Sequence, residues 1–238
     1  MNAMLASVRD CVEASIALAG GCDWLDIKEP AAGALGRVAT KTVEAIVQLA
    51  ARRVPVSATI GDSWDSPELI APAVMAMAAT GVDYVKVGVN AREVDALTLA
   101  QLRAAIDGKR AVIAVCMAER PPARRDLAAL AACGLRGVML DTMDKQGPSL
   151  PGLMSLHQLR EFVDEAHRLG LLAGLAGRLQ REDIASLRSC GADYLGFRSA
   201  LCAAGERRAA LDPEAFHDLR TALSADPASI SNHTSEVT

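Results

Sequence analysis

Aromatic side chains are scarce in this chain, with two Trp, two Tyr and three Phe making up 3% of its residues. Basic charge is not in excess either: 25 Lys and Arg stand against 29 Asp and Glu, for a net charge of −4. This balance argues against the basic, aromatic-studded surface of a nucleic-acid binder, and no nucleic-acid partner is expected. No apolar run approaches the ~18–20 residues of a membrane span, and no basic stretch followed by an apolar one opens the chain. The expectation is a cytoplasmic protein with no membrane partner. The six cysteines, Cys11, Cys22, Cys116, Cys133, Cys190 and Cys202, form no C-x-x-C pair and sit among small apolar residues. They read as fillers in a reducing compartment. His157, His167, His217 and His233 have no partner at metal-ligand spacing, which argues against a His-based metal site or a Ser-His-Asp triad.

The most informative shortage is lysine. Five of the 25 basic residues are lysines (Lys28, Lys41, Lys86, Lys109 and Lys145), and the rest are arginines. A chain that uses Arg for ordinary surface charge keeps Lys where an amine is needed, because a guanidinium serves neither as nucleophile nor as proton shuttle.

What the chain does contain is an even alternation of short apolar runs and amphipathic stretches. The expected strands are Met4–Val8, Trp24–Lys28, Val54–Ile60, Tyr84–Val89, Ala111–Met117, Gly137–Asp141, Leu171–Leu175 and Tyr194–Phe197. Helical spacing recurs in Val43–Ala51, Leu69–Ala79, Leu97–Ile106, Leu127–Ala132, Leu156–Leu169 and Ile184–Cys190. Ser66-Pro67-Glu68 and Asp212-Pro213-Glu214 read as helix starts. The strands are apolar on both faces, as in a parallel sheet covered on each side. With 51% hydrophobic residues and eight β/α units in 238 residues, the expected fold is a single (β/α)8 TIM barrel, an α/β protein. The barrel is assigned to residues 1–223, and the polar stretch 224–238 to a frayed tail.

In such a barrel, chemistry collects at the C-terminal ends of the strands. A period of two places Asp26 and Lys28 on one face of the second strand, with Leu25 and Ile27 on the other. Lys86 sits among valines in the fourth strand, and Asp141 ends the sixth, four residues before Lys145. Three of the five lysines and two carboxylates are thus expected at one rim, while Lys41 and Lys109 read as surface charges. At pH 7 an ordinary lysine amine is neutral in roughly one molecule in 2,500. Burial and neighbouring cations raise that fraction and release a nucleophile able to form a Schiff base with a carbonyl compound. Gly174, Gly177, Gly196, Arg198 and Ser199, in and after the last two strands, are candidates for holding a substrate phosphate. Ser57 and Thr59 share a face of the third strand, and Arg37 is a candidate for a second anion.

Four ordered segments resemble the (5-formylfuran-3-yl)methyl phosphate synthase family. They are Asp26-Ile27-Lys28-Glu29-Pro30 with Gly33 and Leu35-Gly36, then Tyr84-Val85-Lys86-Val87-Gly88, Asp141-Thr142-Met143-Asp144-Lys145, and Gly196-Phe197-Arg198-Ser199-Ala200-Leu201-Cys202. The resemblance spans about residues 4–222. It implies a lyase of methanofuran biosynthesis, in C1 metabolism, that condenses two glyceraldehyde 3-phosphate molecules into 4-(hydroxymethyl)-2-furancarboxaldehyde phosphate, with loss of one phosphate and two waters. It further implies Lys28 as the Schiff-base lysine, Lys86 as proton donor and acceptor, and Asp26, Asp141 and Lys145 as supporting groups. No metal and no organic cofactor is implied, and a homo-oligomer is expected. The residues alone leave two alternatives open: another Schiff-base aldolase acting on a sugar phosphate, and a non-catalytic barrel that binds a phosphorylated metabolite.

Overall fold

A computed structural model describes residues 2–62, 66–89, 94–106 and 110–225. Lys109, His233 and tail residues 226–238 lie outside the described residues. Eight parallel strands close into a barrel in chain order: β1 (Ala3–Val8), β2 (Trp24–Ile27), β3 (Val56–Thr59), β4 (Tyr84–Val89), β5 (Ala111–Met117), β6 (Gly137–Asp141), β7 (Leu172–Leu175) and β8 (Tyr194–Phe197). Around them run α1 (Cys11–Ala19), α2 (Thr40–Ala50), α3 (Ile70–Ala78), α4 (Ala96–Ala105), α5 (Arg124–Ala132), α6 (Leu150–Leu153), α7 (Leu156–Arg168), α8 (Ile184–Arg188) and α9 (Pro213–Ser224).

Two apolar layers hold this arrangement. Outward-facing strand residues such as Leu25, Ile27, Val85, Val87 and Val112 pack against Val43, Ile46, Val74, Leu102 and Leu159 of the helices. Inward-facing Leu5, Trp24, Ile113, Val115, Met139 and Tyr194 fill the barrel itself. Fully burying a side chain of this size contributes about 1.5–3 kcal/mol, so the barrel is a packed core rather than a pore. Trp24 stacks obliquely on Tyr84 and Tyr194, with ring centroids 4.6 and 4.9 Å away. Both tyrosines and one tryptophan thus make a single plug in the N-terminal half of the barrel.

Register is set at the same end by a repeated device. An Asp stands immediately before the aromatic residue that opens β2, β4 and β8. Asp23 accepts a hydrogen bond from the Met4 N–H of β1 (2.7 Å), Asp83 from the Val56 N–H of β3 (2.8 Å), and Asp193 from the Ala173 N–H of β7 (2.7 Å). Each carboxylate satisfies an N–H at the start of the neighbouring strand and fixes its alignment.

The expected strands and helices match these elements to within a few residues. Val54 and Pro55 fall outside β3, since Pro has no N–H to give to a ladder. Ser66 makes no side-chain cap; Pro67–Leu69 form a 3-10 turn, and α3 opens at Ile70. Asp212 does cap α9, accepting from the Glu214 N–H at 2.9 Å. Ser224, assigned from the sequence to the tail, is the last residue of α9. Cys22, Cys116, Cys133, Cys190 and Cys202 are buried, and Cys11 is half-buried. Burial pushes the thiols of Cys22 and Cys116 up to about 12, so both remain protonated, inert filler. Among the described residues no helix is long and apolar enough to cross a membrane.

Substituting Asp83→Ala strands the Val56 N–H at the barrel edge. The expected loss is about 1–3 kcal/mol of unfolding free energy in urea, and an unchanged midpoint would show that this carboxylate does not align β3 and β4.

Candidate active site

The pleat of β2 turns Asp26 inward and leaves Leu25 and Ile27 in the outer layer. Lys28 follows at the strand end, still tied to β1 by its N–H to the Val8 carbonyl (3.0 Å). Pairing places Ser7 of β1 and Ser57 of β3 directly beside Asp26. Both hydroxyls donate to its carboxylate, Ser57 at 2.7 Å and Ser7 at 3.2 Å. Ser57 therefore serves Asp26, whereas Thr59 donates to the Leu35 carbonyl and braces the loop after β2.

Around Asp26 the charges alternate. Lys86 Nζ lies 2.8 Å from Asp26 Oδ1, and Lys28 Nζ lies 3.9 Å from Asp26 Oδ2. On its other side Lys28 is 3.7 Å from Asp141 Oδ2, and Lys145 Nζ sits 2.6 Å from Asp141 Oδ1. Lys28 is thus the central amine, more loosely held than the two lysines flanking it. Lys86 is 2% exposed and Lys28 8%. Lys86 also stands 5.8 Å above the centre of the Tyr194 ring, within cation–π range.

Burial lowers the pKa of Lys86, and the Lys28 charge pushes it further down against the pull of Asp26. Lys145 is lowered likewise by burial, and Lys28 and Arg207 add to the effect against Asp141. Burial by itself would raise the two carboxylates. The lysines outweigh it, holding Asp26 below the usual carboxylate range and Asp141 at about 2. The cluster therefore keeps its aspartates ionised while making Lys86 and Lys145 easier to deprotonate.

The loop after β6 is clamped from two sides. Glu119, beyond β5, accepts from the Met143 N–H at 2.9 Å and the Asp144 N–H at 3.1 Å. Gly177 is at φ +117°, and a Cβ there would come within 2.6 Å of the Thr142 methyl. The loop after β7 can pack this closely on the loop after β6 because residue 177 is glycine. Lys145 is aimed at Asp141 by these contacts.

A small recess opens above the cluster. Its walls include Lys28, Asp141, Lys145, Gly177, Arg178, Gly196, Ser199 and Arg207. Of the five residues expected to hold phosphate, Gly177, Gly196, Arg198 and Ser199 border this recess. Two of the five are engaged within the protein itself. Gly174 is inside the ladder, where a Cβ would lie 2.2 Å from the Tyr194 ring; its smallness makes room for the aromatic plug. Arg198 is buried, and its guanidinium is saturated. Nε donates to the Arg207 carbonyl, Nη1 to the Ser7 carbonyl and Glu13, and Nη2 to Glu13 and the Ala209 carbonyl. Those contacts use all five donors of the fork. The other arginines at the recess are Arg178, in the left-handed region at φ +54°, and Arg207. Arg37 is exposed and does not line the recess. Lys41 is exposed, as expected. Glu119 and Arg207 escaped sequence reasoning because each lies on a polar loop with no periodic signal. Ser7 escaped because its role appears only once β1 is aligned with β2.

A family model described as 4-HFC-P synthase matches residues 4–220. A Methylorubrum extorquens protein provisionally named (5-formylfuran-3-yl)methyl phosphate synthase is 42% identical over 224 residues, covering 94% of this chain and 92% of its own. The (5-formylfuran-3-yl)methyl phosphate synthase of Methanocaldococcus jannaschii is 36% identical, with 91% and 97% covered. Among solved structures, phosphoribosyl anthranilate isomerase from Thermus thermophilus superposes with a TM-score of 0.64 at 16% identity, covering 97% of this chain and 100% of that one. A 3-hexulose-6-phosphate synthase gives 0.62 at 18% identity, with 93% and 100% covered. These two likenesses show the barrel fold alone.

The charge cluster ties stability to acid. Asp141 is depressed from an ordinary 3.8 to about 2, so its ionised form stabilises the folded state above pH 3.8 and that contribution fades as pH falls toward about 2. Asp141→Asn should be less stable than the native chain at pH 6 by about 2 kcal/mol, because each tenfold gain in acidity on folding is worth roughly 1.4 kcal/mol. The gap should narrow across that acid window in urea titrations. A gap that stays constant with pH would contradict the assignment.

Proposed function

Because the chain belongs to the 4-HFC-P synthase family, we propose that it is a lyase making (5-formylfuran-3-yl)methyl phosphate for methanofuran biosynthesis from two molecules of glyceraldehyde 3-phosphate. The observation that carries this reading is the central place of Lys28 between Asp26 and Asp141, with Lys86 and Lys145 on their far sides. An amine flanked at 3.7–3.9 Å by two carboxylates has anions on both sides to steady an iminium ion and room to leave them for a carbonyl carbon.

In this reading Lys28 attacks the aldehyde of one triose, and the resulting carbinolamine loses water to give the iminium. Lys86 removes and returns protons at the carbon beside the iminium. Its depressed pKa suits that work, since a base operates best when its pKa approaches the working pH. Asp26 keeps Lys86 and Lys28 in place. Asp141 and Lys145 face the other end of the substrate and serve the dehydration and phosphate-loss steps. The balance closes: two three-carbon trioses provide the six carbons of the furan, one phosphate is retained, and one phosphate and two waters leave. The retained phosphate sits in the recess bordered by Gly177, Gly196 and Ser199.

Borohydride added during turnover of glyceraldehyde 3-phosphate should trap an adduct on Lys28, located by peptide mass spectrometry. Lys28→Arg should lose both the adduct and the ultraviolet-absorbing furan product, because a guanidinium cannot form the iminium. Lys86→Met should still be trapped while its turnover falls by roughly 10²–10⁴. Furan production by Lys28→Arg at the native rate would sink the covalent reading.

A further inference from the structure

The segment after β8 is built around arginines. It leaves at Cys202, turns through Ala204 and Gly205 at φ +53° and +71°, and returns at Leu211, which pairs antiparallel with Cys202. Ala203 N–H to the Ala210 carbonyl (3.1 Å) and Asp212 N–H to the Leu201 carbonyl (2.8 Å) close its neck. Between these ends, three successive carbonyls are taken by guanidinium groups. Arg198 donates to those of Arg207 (2.8 Å) and Ala209 (2.9 Å), and Arg9, just past β1, donates to that of Arg208 (2.7 Å).

Both arginines are anchored on one carboxylate. Glu13, in the first turn of α1 and 2% exposed, accepts two bonds from Arg198 and one from the Arg9 N–H at 3.0 Å, and it lies 3.2 Å from Arg9 Nε. Three charged groups away from the lysine cluster thus converge on the backbone of residues 207–209. With that backbone fixed, the Arg207 side chain is turned across the barrel mouth, where it walls the recess beside Lys28 and Lys145 and donates to the Gly33 carbonyl of the loop after β2 (3.1 Å). Among the described residues this is the hydrogen bond its guanidinium makes, which leaves donors of the fork open to a ligand in the recess it lines. Burial weakens its hold on its proton, yet Arg stays charged.

A planar fork beside small residues at the end of β8 is suited to a dianionic oxygen cluster, which it grips through two parallel N–H bonds. We propose that Arg207 selects phosphorylated over unphosphorylated trioses by binding the substrate phosphoryl group, and that Glu13, acting through Arg9 and Arg198, is the positioning residue that presets it. The inference rests on the reading of the substrate as a triose phosphate. It accounts for a buried carboxylate and a saturated arginine that make no contact with the lysine cluster.

The test separates binding from chemistry. Inorganic phosphate binding is measured by calorimetry, KM and kcat with glyceraldehyde 3-phosphate, and trapping on Lys28 with unphosphorylated glyceraldehyde and borohydride. Arg207→Ala should weaken phosphate binding and raise KM at least tenfold, leaving glyceraldehyde trapping at the native level. Arg208→Ala, at an exposed neighbour, should change neither. Glu13→Gln should shift phosphate binding and KM in the same direction by several fold and speed amide exchange in residues 202–211. If Glu13→Gln does not fold, Arg9→Gln, which frees the Arg208 carbonyl and gives up the Arg9 ion pair with Glu13 while leaving Arg198 in place, should show a smaller shift of the same kind. Native phosphate affinity in Arg207→Ala overturns the selector role. Native affinity in Glu13→Gln or Arg9→Gln, beside a weakened Arg207→Ala, overturns the positioning role. If no form traps an adduct on Lys28, the covalent reading fails, and the phosphate measurement still decides this one.

Discussion

Three ammonium groups and two carboxylates inside a closed barrel are tolerable only because they alternate. Lys86, Asp26, Lys28, Asp141 and Lys145 follow one another so that each anion lies between two cations. Removing ions from water costs several kcal/mol apiece, and mutual attraction offsets this only when geometry is good and remaining lone pairs are satisfied. Here the hydroxyls of Ser7 and Ser57 and the Thr142 N–H complete the carboxylates. The count remains uneven, with one positive charge in excess. That surplus keeps Lys86 and Lys145 under pressure to lose a proton while holding both aspartates ionised.

The cluster depends on what lies beneath it. Most of the chain's aromatic bulk outside its phenylalanines is spent on one plug, Trp24 with Tyr84 and Tyr194, and Gly174 exists to admit it. Lys86 stands directly over the Tyr194 ring of that plug and is 2% exposed. The same parallel register that stacks the aromatics aligns Ser7, Asp26 and Ser57 one layer higher. Packing and electrostatics are therefore consequences of a single strand alignment, which the Asp23, Asp83 and Asp193 caps enforce at the other end.

Loops at the mouth are oriented by polar clamps in addition to apolar packing. Glu119 gathers the loop that carries Lys145, and Gly177 lets the next loop close on it. Glu13, Arg9 and Arg198 fix the segment that carries Arg207. Such contacts suit a catalytic rim, because directed hydrogen bonds to backbone specify orientation where a shallow loop has little surface to bury.

Much of this molecule was legible in its residues. Eight apolar runs separated by helical spacing determined the barrel, since only burial on both faces makes such strands stable. The pleat of β2 determined that Asp26 and Lys28 point inward together, and the rarity of lysine drew attention to the three that meet. Tertiary structure alone decided which charge faces which. The sequence carries Ser7 and Asp26 nineteen residues apart, and nothing local records that β1 and β2 bring them side by side. It also decided between two arginines of the last loop. Arg198, two residues after the glycine of β8, has the better motif, but Glu13 arrives from α1 and takes up its guanidinium, while Arg207 lines the same recess with a hydrogen bond to the Gly33 carbonyl. Local periodicity reports which way a side chain points; the partner that satisfies it comes from distant chain, and that information exists only once the barrel has closed.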